Sequence, residues 1–229
     1  MDDVSQGSDR TEISETGLRQ FLIHGLGDRG ALLSSLVREC CSDTESREGC
    51  GQLLAQSVLD LSEELSSHRE YRSAVEAASS CDPSESQPWC FHLLSEAPVF
   101  RIGLLTLFRF APIPIHDHPG AYGAQLVLSG KARVRQYERQ GEPHRNPHIV
   151  TLDRVTDQEL SAGDCSSYSD CDRNLHELDA MTNRCVLLSL MVHPHREAPR
   201  SWYFPAALYG RGRRGVYSRV EDRGQNHWS

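Results

Sequence analysis

Pro112-Ile113-Pro114-Ile115-His116-Asp117-His118-Pro119-Gly120 is the most informative stretch of this chain. Two histidines separated by one residue on an extended segment point to the same side, because strand side chains alternate with period two. Two imidazoles so placed can hold one metal ion. Asp117, between them, points the other way and is expected to be structural. The apolar run Gln125-Leu126-Val127-Leu128-Ser129-Gly130 follows and reads as a buried strand ending in a turn. Further on, in Asn174-Leu175-His176-Glu177-Leu178-Asp179-Ala180, a third histidine stands at the head of another strand. We read His116, His118 and His176 as three facial ligands of one metal.

Around this stretch the chain alternates short apolar runs with turn residues. Trp89–Leu94, Phe100–Phe110, Gly123–Leu128, Lys131–Glu138, His148–Val155 and Cys185–Val192 read as strands. Many short strands with turn signals between them predict an antiparallel sandwich or barrel. No helix-length pattern lies between them, which argues against an α/β fold. The organisation expected is a disordered, acidic N-terminus over residues 1–15, a helical extension over 16–88, and a barrel with a C-terminal tail over 89–229. In the extension, helices are expected over Gly17–His24, Asp28–Cys41, Glu48–His68 and Arg69–Ser79. The third is the clearest, with Leu53, Leu54, Val58, Leu61 and Leu65 at helical spacing. In the tail, Trp202, Tyr203, Phe204 and Tyr209 are expected to pack on the barrel, and Arg211 to Arg214 to form a solvated loop.

Of the 229 residues, 38% are hydrophobic, enough for a core, and the net charge is −8. An acidic chain is a poor partner for nucleic acid or anionic membranes, both of which attract basic patches. No apolar run is long enough to span a bilayer and no signal-like stretch opens the chain. A soluble, cytoplasmic monomer is expected. The 8 cysteines include no C-x-x-C pair, which argues against structural zinc. Free thiols are expected in a reducing compartment, with a disulfide between two N-terminal cysteines left open.

The spacing from His118 to Gly130 resembles the first motif of the cupins. The position that holds a glutamate ligand in many cupins falls here on Gly123, as in the branch that binds metal through three histidines. Ile113 to Gly120, then Val127-Leu128-Ser129-Gly130, and Asn174 to Ala180 together resemble the cupin thiol dioxygenases that act on cysteamine and on N-terminal cysteine, relatives of the cysteine dioxygenases. The resemblance covers roughly residues 89–194. It implies a mainly β, jelly-roll-like cupin barrel behind the N-terminal helices, and a mononuclear non-haem Fe(II) as cofactor. It also implies a small thiol substrate and O₂, with both oxygen atoms passing to sulfur to give a sulfinate.

The sequence departs from the cysteine dioxygenases at several positions. Their carboxylate-binding arginine has no counterpart at Cys90-Phe91-His92, which leaves Arg101 and Arg109 as candidates for substrate binding. Gly123 removes the cysteine of their Cys–Tyr crosslink. Ser189 keeps one member of their Ser-His-Tyr relay, and His193 stands where the tyrosine would be, a candidate proton relay. Counting by twos from Gly123 turns Gln125 inward, where its amide needs partners and a substrate can supply them. Tyr122 and Tyr168 are candidates for the pocket wall, Tyr168 with a catalytic part beside His193. Two other readings stay open: a three-histidine cupin oxygenase acting on a non-thiol metabolite, and a non-catalytic metal- or ligand-binding cupin.

Overall fold

The alternating and continuous apolar runs become eleven strands in two sheets, preceded by two helices, in a computed structural model that describes residues 47–83, 88–97, 100–140, 144–169, 174–192, 199–206 and 213–221. The helices expected over Gly17–His24 and Asp28–Cys41, and the N-terminal segment expected to be disordered, lie outside the described residues. Helices α1 (Arg47–Ser66) and α2 (Arg69–Ser80) are followed by β1 (Trp89–Ala97), β2 (Phe100–Phe108), β3 (Ile113–His116), β4 (Tyr122–Ser129), β5 (Lys131–Gln140) and β6 (Ile149–Ser161). β7 (Cys165–Tyr168), β8 (Leu175–Ala180), β9 (Arg184–Val192), β10 (Ser201–Pro205) and β11 (Arg214–Glu221) complete the described elements. No described helix is long and apolar enough to cross a membrane.

Strands β1-β2-β9-β4-β7 form a five-stranded antiparallel sheet; β10-β11-β6-β5-β8-β3 form a ring that closes where β3 pairs with β10. Together they make the mainly β, barrel-containing architecture expected from the strand pattern. The five-stranded sheet is buried on both faces, which is why β2 and β9 read as near-continuous apolar runs rather than alternating ones. One face carries Phe100, Ile102, Leu104, Tyr122, Ala124, Leu126, Val186, Leu188 and Leu190 against Leu54, Val58, Leu61 and Leu65 of α1 and Tyr71 and Ala78 of α2. The leucine spacing read in the sequence is thus the stripe by which α1 covers the sheet. The end of α2 is fixed by Arg184, which donates to the carbonyls of Ser79 and, at 2.5 Å, Cys81, and by Thr106 Oγ1 donating to Ala78 at 3.1 Å. These bonds satisfy carbonyls that a helix end leaves without partners.

The other face of that sheet meets the ring across a second cluster of Leu105, Leu107, Val127, Ala132, Val134, Leu178, Cys185 and Leu187. A third cluster, Ile115, Tyr137, Leu152, Tyr203 and Tyr217, comes wholly from strands of the ring. Trp202 and Tyr203 therefore pack on the barrel as expected, whereas Phe204 is exposed and Tyr209 lies outside the described residues. The basic tail does not form a solvated loop throughout: Arg214 opens β11 and holds Asp153 through two bonds of 2.6 and 2.7 Å. The β10–β11 pair was invisible in the sequence because its partners, β3 and β6, are remote in the chain.

Candidate metal centre

Pro114 has no N–H for a sheet ladder, so a strand containing it is prone to irregular pairing. β3 shows this: Ile113 pairs with Leu178 and His116 with His176, three residues of advance on β3 against two on β8. The extra residue re-aims the strand. Ile113 and His116, an odd number apart, both line the same cavity between the two sheets. The chain then leaves the strand and turns at once. Ala121 N donates to His118 O at 2.9 Å, with Pro119 supplying a fixed φ and Gly120 a φ of 70°. That turn brings His118 back over the cavity.

The ligand atoms of His116, His118 and His176 lie within 4.8 Å of one another, and no other group of three metal-binding side chains occurs among the described residues. Ring centroids stand 4.8 Å apart for His116 and His118, 4.5 Å for His116 and His176, and 5.2 Å for His118 and His176. His116 Nδ1 lies 2.9 Å from Pro114 O, and His176 Nδ1 lies 3.1 Å from Asn174 O. A carbonyl only accepts, so each Nδ1 carries the proton and each Nε2 presents a lone pair, the state in which imidazole binds metal. His176 Nε2 is buried without a hydrogen-bond partner in the protein. A buried orphan acceptor amid two other imidazoles fits a divalent metal.

Electrostatics keep the cluster neutral. Burial pushes the His116 and His118 pKa values well below the ordinary range, and lowers that of His176 to about 4. The Arg200 guanidinium adds to the depression of all three, and the neighbouring imidazoles add to that of His116 and His118. Protons therefore do not compete for the nitrogens near neutral pH.

The cavity has a volume of about 40 Å³ and is lined by Phe91, Arg101, Leu105, Ile113, His116, His118, Gln125, Tyr168, Leu178, Ser189, Met191 and Arg200. Since one water needs roughly 10–15 Å³ on such a measure, it suits a metal and a ligand of a few heavy atoms. Gln125 faces it, as alternation from Gly123 requires. Tyr168 stacks on His118 at 4.9 Å and tilts over His176 at 4.8 Å. Burial raises its phenol pKa, so it stays an O–H donor. Gly123 makes room for it: a β-carbon there would collide with the Tyr168 ring and stand 2.8 Å from Leu190 O. The aromatic ring thus occupies the space beside the position where a carboxylate ligand would project.

Two expected residues are elsewhere. Tyr122 sits in the helix-facing cluster, because strand alternation turns it opposite to Gly123 and Gln125. Arg109 is exposed: β2 ends at Phe108, Phe110 takes a φ of 70°, and the guanidinium lies over the Phe110 ring at 4.9 Å. Arg101 does line the cavity, with its Nε 3.3 Å from Glu96. His193 lies outside the described residues. Asp117 is structural, accepting from Ser201 N at 2.6 Å and Tyr203 O–H at 2.7 Å.

Sequence reasoning missed two groups. Asn174 takes His118 N–H on Oδ1 at 2.7 Å and donates Nδ2 to His118 O at 3.1 Å, while its own carbonyl holds His176. It joins the two histidine motifs, and its place two residues before His176 was the available signal. Arg200 brings Nη2 within 3.3 Å of His118 Nδ1 and lies 5.9 Å from the Trp202 ring, which packs at 5.1 Å on His116. Nothing local marks it.

Residues 57–224, well over half of the chain, match the model of the PCO_ADO family. Among characterised proteins, the chain is 26% identical over 133 residues to 2-aminoethanethiol dioxygenase of Mus musculus, covering 49% of this chain and 52% of that protein. It is 26% identical over 136 residues to the Homo sapiens protein of the same name, covering 49% and 50%. The match thus spans about half the length of these relatives. Similar solved structures include a protein with a double-stranded β-helix domain from Klebsiella pneumoniae, with 16% identity, a TM-score of 0.38, and coverage of 50% of this chain and 84% of that one. Another is the Cnp3 cupin domain of Schizosaccharomyces pombe, with 14% identity, a TM-score of 0.36, and coverage of 50% and 70%.

Proposed function

The chain belongs to the PCO_ADO family, and on that premise we propose that it is a mononuclear non-haem Fe(II) thiol dioxygenase that converts a small thiol to its sulfinate. The observation that carries this reading is the buried, neutral three-histidine cluster facing a small cavity, together with the thiol named in its relatives' activity. An iron held by these histidines would supply Lewis-acid and redox chemistry for oxidising a thiolate with O₂. The reaction balances without another reductant: the thiol sulfur gives up four electrons, O₂ takes them, and both oxygen atoms end on sulfur.

The chain's own residues then have distinct tasks. His116, His118 and His176 hold the iron, with the proton on Nδ1 of His116 and His176 fixed by the carbonyls behind them. Three neutral imidazoles leave the +2 charge unbalanced, so an anionic ligand such as a thiolate is favoured. Leu105, Ile113, Leu178 and Met191 keep the cavity apolar, and Gln125 offers an amide to the substrate. Tyr168, protonated, would hold a proton beside His118 and His176.

The test is oxygen uptake by protein loaded with Fe(II) under anaerobic conditions, against 2-aminoethanethiol, cysteine, 3-mercaptopropionate and a peptide with N-terminal cysteine, with products weighed by mass spectrometry. We expect one thiol to gain two oxygens. Alanine in place of any of the three histidines is expected to abolish iron loading, and removal of iron from the wild type to abolish uptake. Full iron occupancy with no thiol oxidised would overturn the reading.

A further inference from the structure

Cys81 and Cys90 are both half-buried and both free thiols. The strand register brings them together. Cys90 pairs with Thr106 across β1 and β2, and directly opposed residues of an antiparallel pair project from the same face. Thr106 Oγ1 donates to Ala78 O, 3.1 Å away in the last turn of α2. Cys90 therefore faces the end of that helix. Cys81 caps the same end on extended backbone, with φ −68° and ψ 148°. Arg184 fixes it there, donating to the Cys81 carbonyl and, at 3.1 Å, to the Asp82 carboxylate. The two side chains are in hydrogen-bond contact, thiol to thiol.

The other free thiols of the described residues are placed differently. Cys185 is buried in the cluster between the two sheets. Cys165 lies on β7, at the opposite edge of the five-stranded sheet from β1. Burial, and then the Cys81 thiol beside it, pushes the Cys90 thiol up to about 11, while Arg184 pulls the other way. At neutral pH Cys90 therefore rests as a thiol, and the pair stays reduced until an oxidising partner drives exchange.

We propose that Cys81 and Cys90 are a reversible modification site, at which exchange with a small disulfide such as glutathione disulfide forms a bond that ties the end of α2 to β1. The exchange balances. One protein sulfur attacks the glutathione disulfide and displaces one glutathione, giving a mixed disulfide. The second protein sulfur then displaces the other. Each protein thiol gives up one electron and one proton, and two glutathione thiols carry them away. Alternation turns Trp89 and Phe91 to the face opposite Cys90. Phe91 lines the metal cavity, and Trp89 stands 6.3 Å from Trp202, which packs on His116. The bond thus pins the strand whose other face is a wall of that cavity. It does not depend on the thiol dioxygenase reading.

The test uses full-length protein loaded with Fe(II), held anaerobically at neutral pH in glutathione buffers of graded oxidised-to-reduced ratio. Samples are quenched in acid, alkylated and mapped by mass spectrometry. Wild type is expected to yield a linked peptide pair containing Cys81 and Cys90, lighter by two hydrogens and opened by dithiothreitol. Closing this short loop is expected to lower the unfolding constant about 100-fold in urea, relative to the reduced protein. Cys90→Ser and Cys81→Ser are each expected to abolish that difference at unchanged iron content, and Cys165→Ser to keep it. Cys81 and Cys90 that stay open to alkylation in the most oxidising buffer, that carry glutathione singly, or that link to other cysteines instead would overturn the inference. So would a Cys81–Cys90 bond that leaves the urea midpoint where it was.

Discussion

At the scale of single residues, the three histidines were legible because their geometry is local. Period-two alternation singled out His116 and His118, although β3 ends at His116 and it is the turn after it that places His118. His176 stands near the head of its own strand. Arg200 was not legible, because it reaches the cavity only through the pairing of Trp202 with His116, a register no short motif encodes. Asn174 was visible but had no assigned role, since its side chain works on the backbone of His118. That double bond makes a specific expectation. Asn174→Ala removes the clamp on His118 and is expected to weaken metal binding about 10–100-fold, measured by competition with a chelator. An unchanged affinity would mean that the Pro119–Gly120 turn alone places His118.

At the scale of elements, α1, α2 and most strands followed from patterns of 3.6 and 2. What escaped was irregular or non-local. Pro114 was read as part of an extended segment, yet the bulge it permits is what brings Ile113 and His116 to one cavity. Tyr122 was assigned to the pocket although the alternation that placed Gln125 inside places it outside. The β4–β7 contact can be tested at Gly123. Gly123→Ala drives a methyl group toward the Tyr168 ring and Leu190 O, and is expected to cost about 1–3 kcal/mol by overpacking, read as a lower midpoint in urea. An unchanged midpoint would show that the ring yields freely.

At the scale of the whole molecule, burial of three imidazoles couples folding to pH. The unfolded chain titrates its histidines near 6.5, whereas burial lowers all three in the folded protein, His176 to about 4. Below pH 6.5 the unfolded state therefore binds protons that the folded state refuses, and the metal-free protein loses stability as pH falls toward 4. Above 6.5 these groups contribute no slope. Asp157, held below its ordinary range by Arg133, acts in the same direction, but only at lower pH. Urea titrations of the metal-free protein between pH 7 and about 4.5 are expected to show this decline, and bound metal to raise stability without flattening it, because metal too requires neutral imidazoles. A flat metal-free profile would show that the imidazoles keep their solvent.

Closure of the ring by β10 has a bearing on how the protein is made. Asp117, between the two histidines of the first motif, is held by Ser201, 84 positions further along the chain, and by Tyr203. A nascent chain carries His116 and His118 well before β10, the strand that steadies that motif, has been made. Metal capture in the native geometry therefore follows synthesis of β10, and the ion reads a finished ring rather than a nascent motif.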